Sequence, residues 1–167
     1  MTTLDTAPLA ALLHQLFIDA DATSALFRQQ LDALPATQRR AMMASKHDYV
    51  AFYSRAKDAH LAVSRETGTL LYMLARAINA RTIIEFGTSF GVSTLHLAAA
   101  LRDNGGGKLI TSEFEPTKRS HGRARISLPV DFPISSRYAK AMRCKRWRKT
   151  SLNRSIFSCW MARRGFT

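Results

Sequence analysis

The chain has 167 residues, with 25 Lys+Arg against 12 Asp+Glu and a formal net charge of +13. That length suffices for one domain with its own core, and no segment approaches the roughly 20 apolar residues that span a bilayer. The N-terminus carries no basic n-region and no sustained apolar run, so no secretory signal is read there and a cytoplasmic protein without membrane contact is expected.

Apolar positions recur at helical spacing from about Pro8 to Leu34: Leu12, Leu16, Phe17 and Ile18, then Leu26, Phe27 and Leu31. Asp21 and Thr23 predict a cap between two helices in this stretch. Pro35-Ala36-Thr37 opens a further helix through Met42 and Met43, a pair read as core filling. Residues 1–57 therefore read as a helical N-terminal extension, expected to cover a site or to form a dimer surface.

Asp58 to Ala80 reads as helical, interrupted at Gly68, with Leu70, Leu71, Leu74 and Ile78 as its apolar face. Thr82 to Phe86 is a short β-rich run, and Val92 to Leu101 is helical again. Asp103-Asn104-Gly105-Gly106-Gly107 is a turn cluster. Lys108 to Phe114 supplies a second strand, and Glu115-Pro116-Thr117 begins the next helix. This order predicts a parallel βαβ unit with a right-handed crossover, and so an α/β, Rossmann-like domain over residues 58–118.

The junction of the first strand and its helix carries the chemistry. Gly87 lets the chain turn sharply out of the strand, and Gly91 allows close approach of backbone to ligand or of helix to sheet. Thr88, Ser89 and Ser93 place hydroxyls near a helix N-terminus, whose free N–H groups favour a carboxylate or phosphate. Glu85 ends the first strand, where it either pairs with an ammonium group or is a solvated charge. Glu113 closes the second strand, 28 positions later, where an acid accepts hydrogen bonds from ribose hydroxyls. Glu115 competes for that role or favours a helix N-terminus. His60 reads as a surface helical histidine or a pocket residue, and His14, His47 and His96 show no metal-ligand spacing.

These residues resemble the class I S-adenosylmethionine-dependent O-methyltransferases, in the branch of catechol and caffeoyl-CoA O-methyltransferases. The resemblance runs from about Asp58 to Lys118: Ser64-Arg65-Glu66-Thr67-Gly68, Leu70 to Ala80, Glu85 to Ser93, and Ser112-Glu113-Phe114-Glu115-Pro116. It implies the N-terminal half of a Rossmann-like methyltransferase fold. It also implies S-adenosylmethionine as cofactor and methyl transfer to a hydroxyl of a small, aromatic acceptor. Glu85, Gly87, Thr88, Ser89, Gly91 and Ser93 would hold the methionine end, Glu113 the ribose, and Gly68 would lie close to the cofactor. Some family members use a divalent metal bound by later carboxylates. Those acids and any general base have no counterpart here, so no metal ligand and no catalytic residue is assigned. Homodimers are common in the family, with the N-terminal helices as the expected interface.

The chain changes character at about Lys118. Residues 118–167 hold 14 basic residues and one acid, Asp131, leaving 11 charges of each sign in residues 1–117. Both cysteines and both tryptophans also lie beyond the break, so no disulfide framework is expected in the first part. Residues 119–167 are read as an irregular basic tail produced by a shifted reading frame, poorly ordered and leaving the sheet incomplete. One base out of phase, Cys159-Trp160-Met161-Ala162 becomes Leu-Asp-Gly whatever the codons, a tripeptide the family carries at this distance. Resequencing codons 116 to 122 checks the frame. The alternative is a Rossmann-like module whose basic tail binds nucleic acid, for which sequence-dependent affinity is the discriminator.

Overall fold

The computed structural model of the chain describes residues 1–44, 49–113, 118, 134–136 and 155–159. Its elements are a short 3-10 helix at Thr3–Asp5, then α1 (Leu9–Asp32), α2 (Ala36–Ala44), α3 (Tyr49–Arg55), α4 (Arg65–Ala77), β1 (Thr82–Phe86), α5 (Val92–Asp103), β2 (Lys108–Ser112), β3 (Ile134–Ser136) and β4 (Ser155–Cys159). The four strands form one sheet in the order β3-β2-β1-β4. All pairings are parallel, with Glu85 opposite Thr111 on β2 and opposite Ser158 on β4.

Ile83, Ile84, Glu85 and Phe86 are all buried. Consecutive residues point to opposite faces of a strand, so β1 is covered on both, as parallel sheets require. Two strands lie in the segment read as irregular, and they flank β2 and β1.

The core joins α1, α4, α5 and the sheet through Leu9, Leu16, Phe17, Tyr72, Ala75, Leu95, Leu101 and Leu109. Each leucine or phenylalanine side chain among them contributes about 1.5–3 kcal/mol when fully buried. Along α5, Ala98, Ala99 and Ala100 are fully buried. Their small size lets the helix pack closely on its neighbours.

Three expectations are corrected. α1 runs unbroken through Asp21 and Thr23, because the Thr23 hydroxyl donates to the Asp19 carbonyl at 2.7 Å inside the helix and caps nothing. The helix expected from Asp58 begins at Arg65, where Ser64 accepts from the Thr67 N–H as N-cap. Residues 60–64 are an extended strap, and Gly68 lies within the first turns of α4 without interrupting it. The apolar face read for this helix is corrected as well, except at Leu71, which packs against the core. Leu70, Leu74 and Ile78 are exposed, while Gly68, Tyr72 and Ala75 are buried. A close α4–α5 contact selects the small residues Gly68 and Ala75, while Tyr72 donates to Asp103 at 2.6 Å. The helix read from Glu115 begins outside the described residues, and Lys118 is helical.

Candidate functional site

In the sheet order, β1 is followed by β2 and β3 on one side and by β4 on the other. The chain thus reverses its direction of travel at β1, and in open parallel sheets ligands bind at the carboxyl ends of the strands beside such a point. Glu85 and the turn 87–91 stand at that end.

The turn departs from ordinary backbone at three residues: Gly87 (φ 85°), Ser89 (φ 47°) and Gly91 (φ 92°). The two glycines take this left-handed region without a Cβ penalty. Ser89 does so against preference and is held there by its surroundings. The N–H groups of Gly87 and Thr88 both donate to the Ser112 carbonyl, at 2.8 and 2.9 Å, and Gly91 donates to Thr88 at 2.8 Å. Gly91 is also the N-cap of α5 and offers no side-chain acceptor. The first-turn N–H groups of α5 have no partner within the helix and carry its positive dipole end.

Glu85 is enclosed and charge-competent. Ser93 Oγ donates to its Oε1 at 2.6 Å, while Thr94 Oγ1 and Thr111 Oγ1 donate to its Oε2 at 2.5 and 2.7 Å. Burial pushes its carboxyl above the usual carboxylate range, the three hydroxyls oppose that rise, and the Glu113 charge adds to it. Of the two readings of Glu85, the solvated charge is ruled out, since only 2% of the residue is exposed. Glu113, also buried, accepts the Ser89 N–H at 2.5 Å. One carboxylate thus fastens the left-handed turn to the end of β2, and the other lies beneath the start of α5.

A narrow cleft of about 20 Å³, open to solvent, lies between the strap 60–63 and the turn 87–90, with Val92 and Ser93 also lining it. Thr88, Ser89, Gly87 and Ser93 line it, and Glu85 and Glu113 are bonded to its lining residues. Gly68 does not line it. The position a Gly68 Cβ would take lies 2.7 Å from the His96 ring, so this glycine serves the α4–α5 contact. His96 in turn donates from Nδ1 to the Val92 carbonyl at 2.7 Å, and burial holds its imidazole below the usual histidine range. Glu115 lies outside the described residues.

Of the two readings of His60, the pocket residue holds: it is buried in the cleft wall and stacks on Phe90 with ring centroids 3.6 Å apart. Sequence reasoning missed other participants. Tyr53 on α3 feels the same carboxylate as the turn: burial pushes its phenol up, and Glu113 adds to that. Thr111 bonds Glu85 across the parallel ladder, a pairing visible only once the register is known. The signal for Thr94 was available, since it follows Ser93 at a helix start. Among the described residues, no group of His, Cys, Asp and Glu could hold a metal ion, and no helix is long and apolar enough to cross a membrane.

A catechol O-methyltransferase of Niastella koreensis is 43% identical over 56 residues, 34% of this chain and 24% of that protein. That of Mycobacterium tuberculosis is 36% identical over 66 residues, 40% of this chain and 29% of that protein. The chain thus spans 24% to 29% of the length of the curated relatives it matches. Among solved structures, the O-methyltransferase of Bacillus cereus in complex with SAH is 25% identical, with a TM-score of 0.40 over 59% of this chain and 47% of that one. TomG of Streptomyces achromogenes, in complex with SAM, is 33% identical, with a TM-score of 0.40 over 53% and 41%. The family model described as O-methyltransferase matches residues 45–144, more than half the chain and all of the strap, turn, α5 and β2. The chain belongs to the O-methyltransferase family.

Proposed function

We propose that the cleft binds S-adenosylmethionine and that the chain derives from an enzyme methylating a hydroxyl of a small, aromatic acceptor. The observation that carries this reading is the pair of buried carboxylates, Glu85 and Glu113, at the ends of adjacent parallel strands around a left-handed turn. The donor set fits the cofactor. Glu85 would receive its ammonium group, and that positive charge would offset the desolvation that now raises the carboxyl. The α5 N-terminus and the turn amides would receive its carboxylate. Glu113, whose Oε2 accepts the Ser89 N–H, would receive the ribose hydroxyls. Ser89 Oγ is buried without a hydrogen-bond partner among the described residues, which suits a ligand that supplies one.

When bound, the cofactor supplies a methyl group from its sulfonium sulfur to the acceptor oxygen. The residues present bind, orient and exclude water around it, which is where alignment gains rate. No residue here is assigned as base, and no step uses a metal. With one acid after Lys118, we expect methyl transfer by this chain to be impaired while cofactor binding persists. The catechol O-methyltransferase relatives support an aromatic diol as the acceptor class.

Calorimetric titration of the full chain with S-adenosylhomocysteine tests the reading. Saturable one-to-one binding is expected, weakened about tenfold by Glu113→Gln, the worth of one charged hydrogen bond. Absence of binding, or equal affinity for both proteins, would count against it.

A further inference from the structure

We propose that His60 is a positioning residue through which α1 sets the shape of the cleft, a role that rests on the cofactor reading above. The strap it belongs to has neither helical nor strand hydrogen bonding, so something else must hold it. Two residues of α1 do so. The His60 N–H donates to Thr23 Oγ1 at 3.1 Å, His60 Nδ1 lies 3.0 Å from the same oxygen, and Ser24 Oγ donates to the His60 carbonyl at 3.1 Å. The Thr23 hydroxyl has one proton, and the Asp19 carbonyl takes it at 2.7 Å. Nδ1 must therefore carry its own proton and donate to Thr23, which fixes the tautomer and the ring plane.

The fixed ring then acts on the turn. His60 stacks on Phe90 at an interplanar angle of 24°, and Phe90 sits between the two left-handed residues Ser89 and Gly91. Lys118 Nζ lies 5.4 Å from the centroid of the Phe90 ring and donates to the Ala59 carbonyl at 2.9 Å. Strap and turn, the two walls of the cleft, are thereby joined through one aromatic pair anchored on α1. A loosened pair would leave both walls to be ordered at binding, and that entropy cost appears as lost affinity.

The test compares Thr23→Val, which keeps shape and removes the hydroxyl, with Thr23→Ser, which keeps the hydroxyl. Amide hydrogen exchange without ligand should quicken in Thr23→Val both at residues 60–63 and at 88–91, and return to the wild-type rate in Thr23→Ser. Affinity for S-adenosylhomocysteine should fall about tenfold in Thr23→Val and recover in Thr23→Ser, the scale of one or two lost hydrogen bonds. Faster exchange confined to 60–63 would overturn the clamp, as would unchanged affinity. A wild-type chain that binds no S-adenosylhomocysteine would overturn the cofactor reading and the clamp's role in it, while the exchange data still decide whether α1 holds the turn. Phe90→Leu, which deletes the stack from the other side, should quicken exchange at 60–63 and serves if Thr23→Val does not fold.

Discussion

Glu85 is buried at the centre of the sheet, and only hydroxyl groups face its two oxygens in the hydrogen bonds described. Three donors partly offset its desolvation, yet its carboxyl stays above the usual range. The sign of the resulting pH dependence follows. Between the ordinary glutamate value and the raised folded one, the folded chain keeps a proton that the unfolded chain has released. Stability is therefore full below that window, falls as pH rises through it, and levels off above. Glu85→Gln removes this titration. The thermal midpoint of the variant, minus that of the wild type, should be more positive at about pH 8 than at about pH 4. A difference that does not change with pH would contradict the assignment. Glu85, Gly87, Ser93 and Glu113 were legible in the sequence because acids and glycines at a strand end have few other uses. His60 was legible only as one of two alternatives: its burial depends on Thr23, 37 residues away, and no local pattern decides between them.

At the level of elements, the contact of α4 with α5 turns on one missing β-carbon. An alanine at Gly68 would gain up to about 1 kcal/mol of helix propensity. Its Cβ would also press on His96, which cannot retreat freely while Nδ1 is bonded to Val92. Overpacking of this kind costs about 1–3 kcal/mol, so Gly68→Ala should destabilise the chain by about 1–2 kcal/mol in denaturant unfolding. A more stable variant would mean that the imidazole moves aside. Strands β1 and β2 and helix α5 were readable to within a residue or two, because apolar runs and glycine turns bound them tightly. The start of α4 was not, since residues 58–64 have helical composition and only the Ser64 cap divides strap from helix. The inward face of α4 misled for a related reason: periodicity finds a stripe of large residues but cannot tell whether its neighbour needs bulk or closeness.

For the whole molecule, topology explains the position of the site better than any single residue. β1 lies between β2 and β4, so the crevice opens where the chain reverses direction, and the family match spans that region. The uneven charge left a different mark. Residues 1–117 balance their charges, and the strap, turn, α5 and β2 that build the cleft all lie within them. Lys118, at the head of the basic segment, bonds to the Ala59 carbonyl beside the strap and lies over the Phe90 ring. The strands at Ile134–Ser136 and Ser155–Cys159 were not read, because runs of three and five residues rich in serine carry too little apolar alternation to stand out in a basic segment. The central claim is that residues 60–63, 87–93 and 113 form one S-adenosylmethionine site. Heteronuclear NMR of the labelled full chain titrated with S-adenosylhomocysteine tests it most directly. The account predicts shifted amide signals concentrated in those three segments, with α2 unaffected; shifts scattered elsewhere, or none at saturating ligand, would contradict it.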